Sequence, residues 1–147
     1  MGSYYIWSVG CQMNVADAER LGAELAAQGH TVAATAEEAD IVVVNSCVVR
    51  QQAEDRAANK LSALRASKQR KPQQVISLMG CMVGPRTEDL EQRFPHVDVF
   101  MRPQMFTPLL DLTQSIPLGD GCLPAELDLK ATGPTAFVNV VHGCDNF

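Results

Sequence analysis

The run Ile41-Val42-Val43-Val44-Asn45-Ser46-Cys47 decides the fold. Four β-branched residues in succession favour a strand. They do not alternate with polar residues, which predicts a strand covered on both faces, as in a parallel sheet. On either side the chain repeats the same phrase. Tyr4 to Val9 is an aromatic and β-branched strand broken by Gly10-Cys11, and Val75 to Met79 is a strand broken by Gly80-Cys81. Thr31 to Ala34 is a further, weak strand, and Val97 to Met101 is another strand. Between them lie segments of helical period. Asn14 is the expected N-cap of the first, with Asp17 three residues on and Gly29 as its stop. Arg50 to Ser67 is the second, with Ala53, Ala57, Leu61 and Leu64 on one face and Pro72 beyond it. A third opens at Pro85, with Leu90 and Phe94 inward, and a fourth runs from Pro103 to Leu112.

Strands alternating with helices predict an α/β fold. The expectation is an open, mostly parallel sheet of about five strands, flavodoxin-like or Rossmann-like in three layers, with order 2-1-3-4-5 by analogy. Residues 1–112 form this unit. Residues 113–135, punctuated by Pro117, Gly119, Gly121, Pro124, Gly133 and Pro134, read as a linker. Residues 136–147 begin with another apolar strand, Ala136 to Val141, followed by Gly143-Cys144.

The chain has 147 residues, 46% of them hydrophobic and 20% charged, which excludes a disordered chain. Its net charge of −5 makes it a poor stand-alone nucleic-acid binder, because phosphate contacts need clustered Lys and Arg. The cluster Lys68, Arg70, Lys71 reads as a solvated helix end. No apolar run approaches a membrane span, and the first residues lack the pattern of a signal peptide, so the expected compartment is the cytoplasm. There is no phosphate loop and no nucleophile elbow.

Five cysteines, at 11, 47, 81, 122 and 144, cannot all pair within one chain. Cys11, Cys47 and Cys81 each fall just past the C-terminal end of a predicted strand. In an open parallel sheet those ends share one edge, where ligands bind. A helix N-terminus is expected after each thiol, where its dipole favours a thiolate. The residue-level reading leaves three classes open. The three thiols hold a metal centre, they are buried structural cysteines, or two of them form a redox pair. The last is weakened by the lack of a C-x-x-C spacing. No histidine stands beside these turns to complete a closed zinc site. His30 and His96 are expected at the surface. A [4Fe–4S] cluster on three thiolates would leave one iron open; Cys122 follows no strand and is a weak candidate for a fourth ligand.

Val9-Gly10-Cys11-Gln12-Met13-Asn14, Val43-Val44-Asn45-Ser46-Cys47-Val48-Val49-Arg50 with Ala53-Glu54, and Met79-Gly80-Cys81-Met82 together resemble the N-terminal domain of the radical S-adenosylmethionine methylthiotransferases. Phe137 to Phe147 resembles the run that opens that family's C-x-x-x-C-x-x-C motif. The likeness spans essentially the whole chain, and its specificity lies in the three cysteine motifs in this order. It implies an auxiliary [4Fe–4S] cluster on Cys11, Cys47 and Cys81, whose open iron handles the sulfur to be inserted. It also implies a second [4Fe–4S] cluster, with Cys144 as its first ligand, that binds S-adenosylmethionine and cleaves it to a 5′-deoxyadenosyl radical. A second S-adenosylmethionine supplies the methyl group.

The departure from the family is large. The chain ends where the next cysteine of that motif would come, so the barrel and any RNA-binding domain are missing and this piece alone is not expected to be active. Gln12-Met13-Asn14 is most similar to the subfamily that methylthiolates C2 of isopentenyl-adenosine beside the tRNA anticodon. Relatives acting on threonylcarbamoyl-adenosine or on a ribosomal-protein aspartate are the alternatives. The implied partners are the tRNA anticodon stem-loop and the protein's own C-terminal domains, with a monomer expected.

Overall fold

The computed structural model describes residues 2–49 and 51–114. The strand expected at Ala136 to Val141, the linker and the thiols of Cys122 and Cys144 lie outside the described residues. Five strands, β1 (Ser3–Ser8), β2 (Thr31–Val32), β3 (Ile41–Ser46), β4 (Val75–Gly80) and β5 (Val99–Met101), form one sheet in the order β2-β1-β3-β4-β5. Every pairing is parallel, with Tyr4 opposite Ile41 and Ile41 opposite Val75. The expected architecture and order are those observed.

Four helices connect the strands: α1 (Gln12–Ala27), α2 (Gln51–Arg70), α3 (Glu88–Arg93) and α4 (Thr107–Gln114). They cover both faces of the sheet. On one face Ile41, Val43 and Met79 pack with Leu21 and Leu25 of α1 and Leu109 of α4. On the other, Val42, Val44, Ile76 and Leu78 pack with Ala57, Leu61 and Leu64 of α2 and with Phe94. Strand periodicity sends alternate residues of β3 to opposite layers. With a helix layer on each side, all six of its residues are buried, which is why the run is unbroken by polar positions.

Several boundaries differ from expectation. The N-cap of α1 is Cys11, and Asn14 lies three residues inside the helix. The last turn of α2 extends to Arg70 and takes in Lys68. Lys68 does not simply meet solvent: its ammonium binds the Asp98 carboxylate at 2.7 Å and the Gln74 carbonyl. The helix expected at Pro85 starts only at Glu88, with Thr87 as its N-cap residue. Pro103 stands in a turn closed by Gln104 at φ +65°, and α4 begins at Thr107 and ends at Gln114. β5 starts at Val99, since Asp98 turns its carboxylate onto the Ile76 N–H. Of the histidines expected at the surface, His30 is buried and His96 is half-buried. His30 is 5% exposed, and His96 sets a ring nitrogen 2.7 Å from the Leu61 carbonyl oxygen with its ring edge-on to Phe94. Among the described residues no helix is long and apolar enough to cross a membrane.

Candidate functional site

The strand order reverses direction between β1 and β3. The chain leaves β1 through α1 to reach β2 on one side, then crosses to β3 on the other. Connecting helices therefore diverge at the C-terminal ends of β1 and β3, and open α/β sheets bind ligands in the crevice so created. Cys11 lies three residues past β1, Cys47 immediately follows β3, and Cys81 immediately follows β4. All three stand on this edge, on three adjacent strands.

Backbone pairing carries on past the strands into these turns. The Val9 N–H donates to the Asn45 carbonyl at 3.0 Å, and the Cys81 N–H donates to the Ser46 carbonyl at 3.1 Å. The Ser46 hydroxyl donates to the Met79 carbonyl at 3.1 Å. So each cysteine turn is tied to its neighbour within two residues of the thiol.

Glycine precedes two of the three cysteines for a steric reason. Gly10 has φ +142° and Gly80 has φ +108°, a region that side-chain-bearing residues rarely adopt. A Cβ on Gly10 would lie 2.5 Å from Cys47 Cβ and 2.6 Å from Asn14 Oδ1. A Cβ on Gly80 would lie 2.2 Å from the Ser46 carbonyl oxygen. These missing side chains let the turn after β1 close onto Cys47, and the turn after β4 close onto β3.

Two buried amides complete the edge. Asn14, 4% exposed, donates from Nδ2 to Asn45 Oδ1 at 2.9 Å and to the Ser46 carbonyl at 3.0 Å. Asn45, fully buried, donates from Nδ2 to the Asn14 carbonyl at 2.6 Å. The Cys11 N–H donates to Asn14 Oδ1 at 3.3 Å, and the Cys11 thiol stands 3.2 Å from the same oxygen. Local pattern gives Asn14 as a helix cap and assigns no contact to Asn45. The available signal was an amide closing an otherwise apolar core strand, where an unpaired polar group would be costly.

Cys11 is exposed, Cys47 is buried and Cys81 is intermediate, and none is in a disulfide. Of the helix N-termini expected behind them, α1 starts at Cys11 itself, α2 starts four residues past Cys47, and α3 starts seven residues past Cys81. Among the described residues no group of three or more His, Cys, Asp or Glu side chains stands at metal-ligating spacing. The donor set is nevertheless one that fits an iron–sulfur cluster. Three soft thiols share one edge, and the glycines keep side chains out of two of the turns. Val48 and Val49, exposed beside Cys47, with Met13 and Val15 exposed beside Cys11, give the edge an apolar rim.

Residues 3–102 match the model of a family described as "Uncharacterized protein family UPF0004". Among relatives, the chain is 37% identical over 147 residues to the tRNA-2-methylthio-N(6)-dimethylallyladenosine synthase of Dehalococcoides mccartyi strain ATCC BAA-2266, covering 100% of this chain and 33% of the relative. It is 37% identical over 145 residues to the protein of the same name from Herpetosiphon aurantiacus, covering 97% and 33%. It is 46% identical over 110 residues to that from Roseiflexus sp. strain RS-1, covering 74% and 23%. The chain spans about a third of the length of the Dehalococcoides and Herpetosiphon relatives. The family match runs from the first strand to the end of the fifth, taking in all three thiol-bearing turns, and the chain belongs to the UPF0004 family.

Proposed function

We propose that this chain is the cluster-binding part of a cytoplasmic tRNA methylthiotransferase, which adds a methylthio group to C2 of isopentenyl-adenosine next to the anticodon. In this reading Cys11, Cys47 and Cys81 hold an auxiliary [4Fe–4S] cluster. Cys144 is the first ligand of a second cluster, completed by residues beyond Phe147 and served by S-adenosylmethionine. The observation that carries the reading is the placement of Cys11, Cys47 and Cys81 at the C-terminal ends of three adjacent parallel strands, across the point where the strand order reverses. The names of the relatives supply the substrate class.

When bound, a cluster on three thiolates supplies an iron with one open position, where an exogenous sulfur ligand can attach. The protein's part is to present the thiols and shape their surroundings. Cys11, at the start of α1, meets the positive end of the helix dipole, which favours an anionic ligand set. Cys47 is buried and immediately follows β3, whose last residues Asn45 and Ser46 pair with β1 and β4. Gly10 and Gly80 keep the turns narrow. The apolar rim of Met13, Val15, Val48 and Val49 would exclude water once covered by the rest of the protein. The net charge of −5 on this part supports a reading in which other domains of the protein carry the basic surface for tRNA.

The test has two arms. Anaerobic reconstitution of the chain should give about four irons and matching sulfide per chain. A Cys11→Ala/Cys47→Ala/Cys81→Ala variant should give none. The full-length protein, expressed in a bacterial strain lacking its own methylthiotransferase, should restore 2-methylthio-isopentenyl-adenosine to tRNA hydrolysates, and Cys11→Ala should abolish it. A folded chain that binds no iron would sink the cluster assignment, and a methylthio group found on a different nucleoside or on protein would sink the substrate.

A further inference from the structure

The two amides behind the thiols form a closed circuit between segments 31 residues apart. A main-chain carbonyl only accepts, so the Ser46 oxygen fixes the Asn14 amide with Nδ2 toward β3. A main-chain N–H only donates, so the Cys11 nitrogen independently fixes Oδ1 toward the β1 turn. The two constraints agree, and Asn45 adds a return bond to the Asn14 carbonyl. Asn14 therefore reaches the backbone of Cys11 with one end and the residue before Cys47 with the other. Gly10 is the clearance that lets it do so, since a Cβ there would meet Asn14 Oδ1. Ser46 in turn receives the Cys81 N–H. One buried amide pair thus touches the backbone of all three cysteine turns, directly or through Ser46.

Resting on the cluster assignment above, we infer that Asn14 and Asn45 are positioning residues of that site. They hold the β1 and β3 turns in register so that Cys11 and Cys47 serve the same cluster. They are not ligands, and the fold does not need them to form its sheet, because the strands pair through their own backbones. Removing the tie leaves three thiols on one edge but holds the Cys11 turn to β3 only through the bond from the Val9 N–H to the Asn45 carbonyl.

Asn14→Asp separates these roles. It keeps an oxygen for the Cys11 N–H and puts an acid in the first turn of α1, where the helix dipole favours it. It removes both N–H groups directed at β3 and sets an oxygen against two acceptors, which pushes the turns apart. Asn45→Ala removes the two bonds between Asn14 and the Asn45 side chain while leaving the Asn14–Ser46 bond. Gln74→Ala is the control. Gln74 is an equally buried amide at the opposite edge, donating at 2.8 Å to the carbonyls of Ala36 and Ala39.

The reconstituted full chain is exposed anaerobically to the ferrous chelator bathophenanthroline disulfonate, and iron loss is followed by absorbance. Electron paramagnetic resonance of the reduced cluster gives a second readout. The inference expects iron loss roughly 10-fold or more faster in Asn14→Asp and Asn45→Ala, in keeping with the roughly 10–100-fold loss of metal affinity on removing supporting partners of metal ligands. It expects an altered resonance signal in both and parent behaviour in Gln74→Ala. Loss at the Gln74→Ala rate in both variants overturns it. If one variant fails to fold by circular dichroism, the other decides. If both unfold while Gln74→Ala folds, the amides hold the fold and the inference falls. A folded parent that takes up no iron is a different failure, since it removes the cluster assignment and this inference with it.

Discussion

Gly80→Ala is the sharpest test of how the β3 and β4 ends are held together. At φ +108° an alanine is strained, at roughly 1–3 kcal/mol for a residue in such a region. The new Cβ would also lie 2.2 Å from the Ser46 carbonyl oxygen, 2.8 Å from Asn45 Oδ1 and 3.0 Å from the Ser46 nitrogen. Two of these are backbone atoms of a fully buried strand, so neither can swing aside, and overpacking of this kind costs about 1–3 kcal/mol. Against this, alanine lowers the entropy of the unfolded chain by about 0.4–1 kcal/mol. The net expectation is a loss of about 3 kcal/mol, a large share of the roughly 5–15 kcal/mol that holds a domain folded.

Two other glycines calibrate the reasoning. Gly29 has φ +86° but open space around its Cβ position, so Gly29→Ala bears strain alone, about 1–2 kcal/mol. Gly84 has open space and no positive φ, so Gly84→Ala should be within about 0.5 kcal/mol of the parent. Urea unfolding followed by far-UV circular dichroism reads all three, provided the slope is shared. The reaction rate of Cys47, 2% exposed, with a thiol reagent gives a local readout that should rise only in Gly80→Ala. If Gly80→Ala costs no more than Gly29→Ala, contact with Ser46 is not what demands glycine there.

Further outcomes follow from burial and charge elsewhere in the domain. Leu25, fully buried between α1 and the sheet, should cost about 2–5 kcal/mol as alanine, read as a lower melting temperature. Asp40 is opposed by burial, but Lys71 and the Ser3 N–H and hydroxyl outweigh it and hold the carboxyl below the usual range. Its folded value lies below its unfolded one, so its contribution is complete above about pH 4 and is lost as pH falls through the folded value. Asp40→Asn should therefore lose at most about 1 kcal/mol at neutral pH, the pair being solvent-screened, and the gap to the parent should close in acid. His30 is pushed down chiefly by burial, opposed by the Gly2 carbonyl and Asp40, so the native state keeps it neutral while the unfolded chain takes up a proton first. Stability should then fall as pH drops below about 6.5, and His30→Gln should flatten that slope in urea melts at pH 7.5 and 5.5.

Most of the fold was legible because its determinants are local. The β3 run could only be a strand covered on both faces, and the alternation of strands and helices then left few topologies. What went astray was mostly at element ends, where long-range contacts decide. Thr113, placed by sequence after the last helix, belongs to α4 because its hydroxyl reaches Gln28 Oε1 at 2.6 Å, a partner 85 residues away. His96 reads as a surface residue because polarity alone says nothing of a carbonyl waiting at 2.7 Å or an aromatic edge.

The candidate site divides the same way. A strand that ends in Gly-Cys announces a tight turn bearing a thiol, and two such phrases with Asn-Ser-Cys between them place three thiols on one edge. That much needs only local pattern and the parallel topology. What joins the turns is a different kind of information. Asn14 sits in the first turn of a helix, where a short polar side chain is ordinary, and nothing within its own window indicates that its amide is spent on another strand. Asn45 is the more telling of the two. A fully buried amide at the end of an apolar strand must find partners for its N–H groups and its oxygen, and the β3 backbone has already used its own groups in the ladders on either side. The partner had to come from a neighbouring turn at the same edge, and β1 supplied it. Polar residues stranded in apolar runs therefore mark where one turn must meet another, and here that meeting point lies directly behind Cys11 and Cys47.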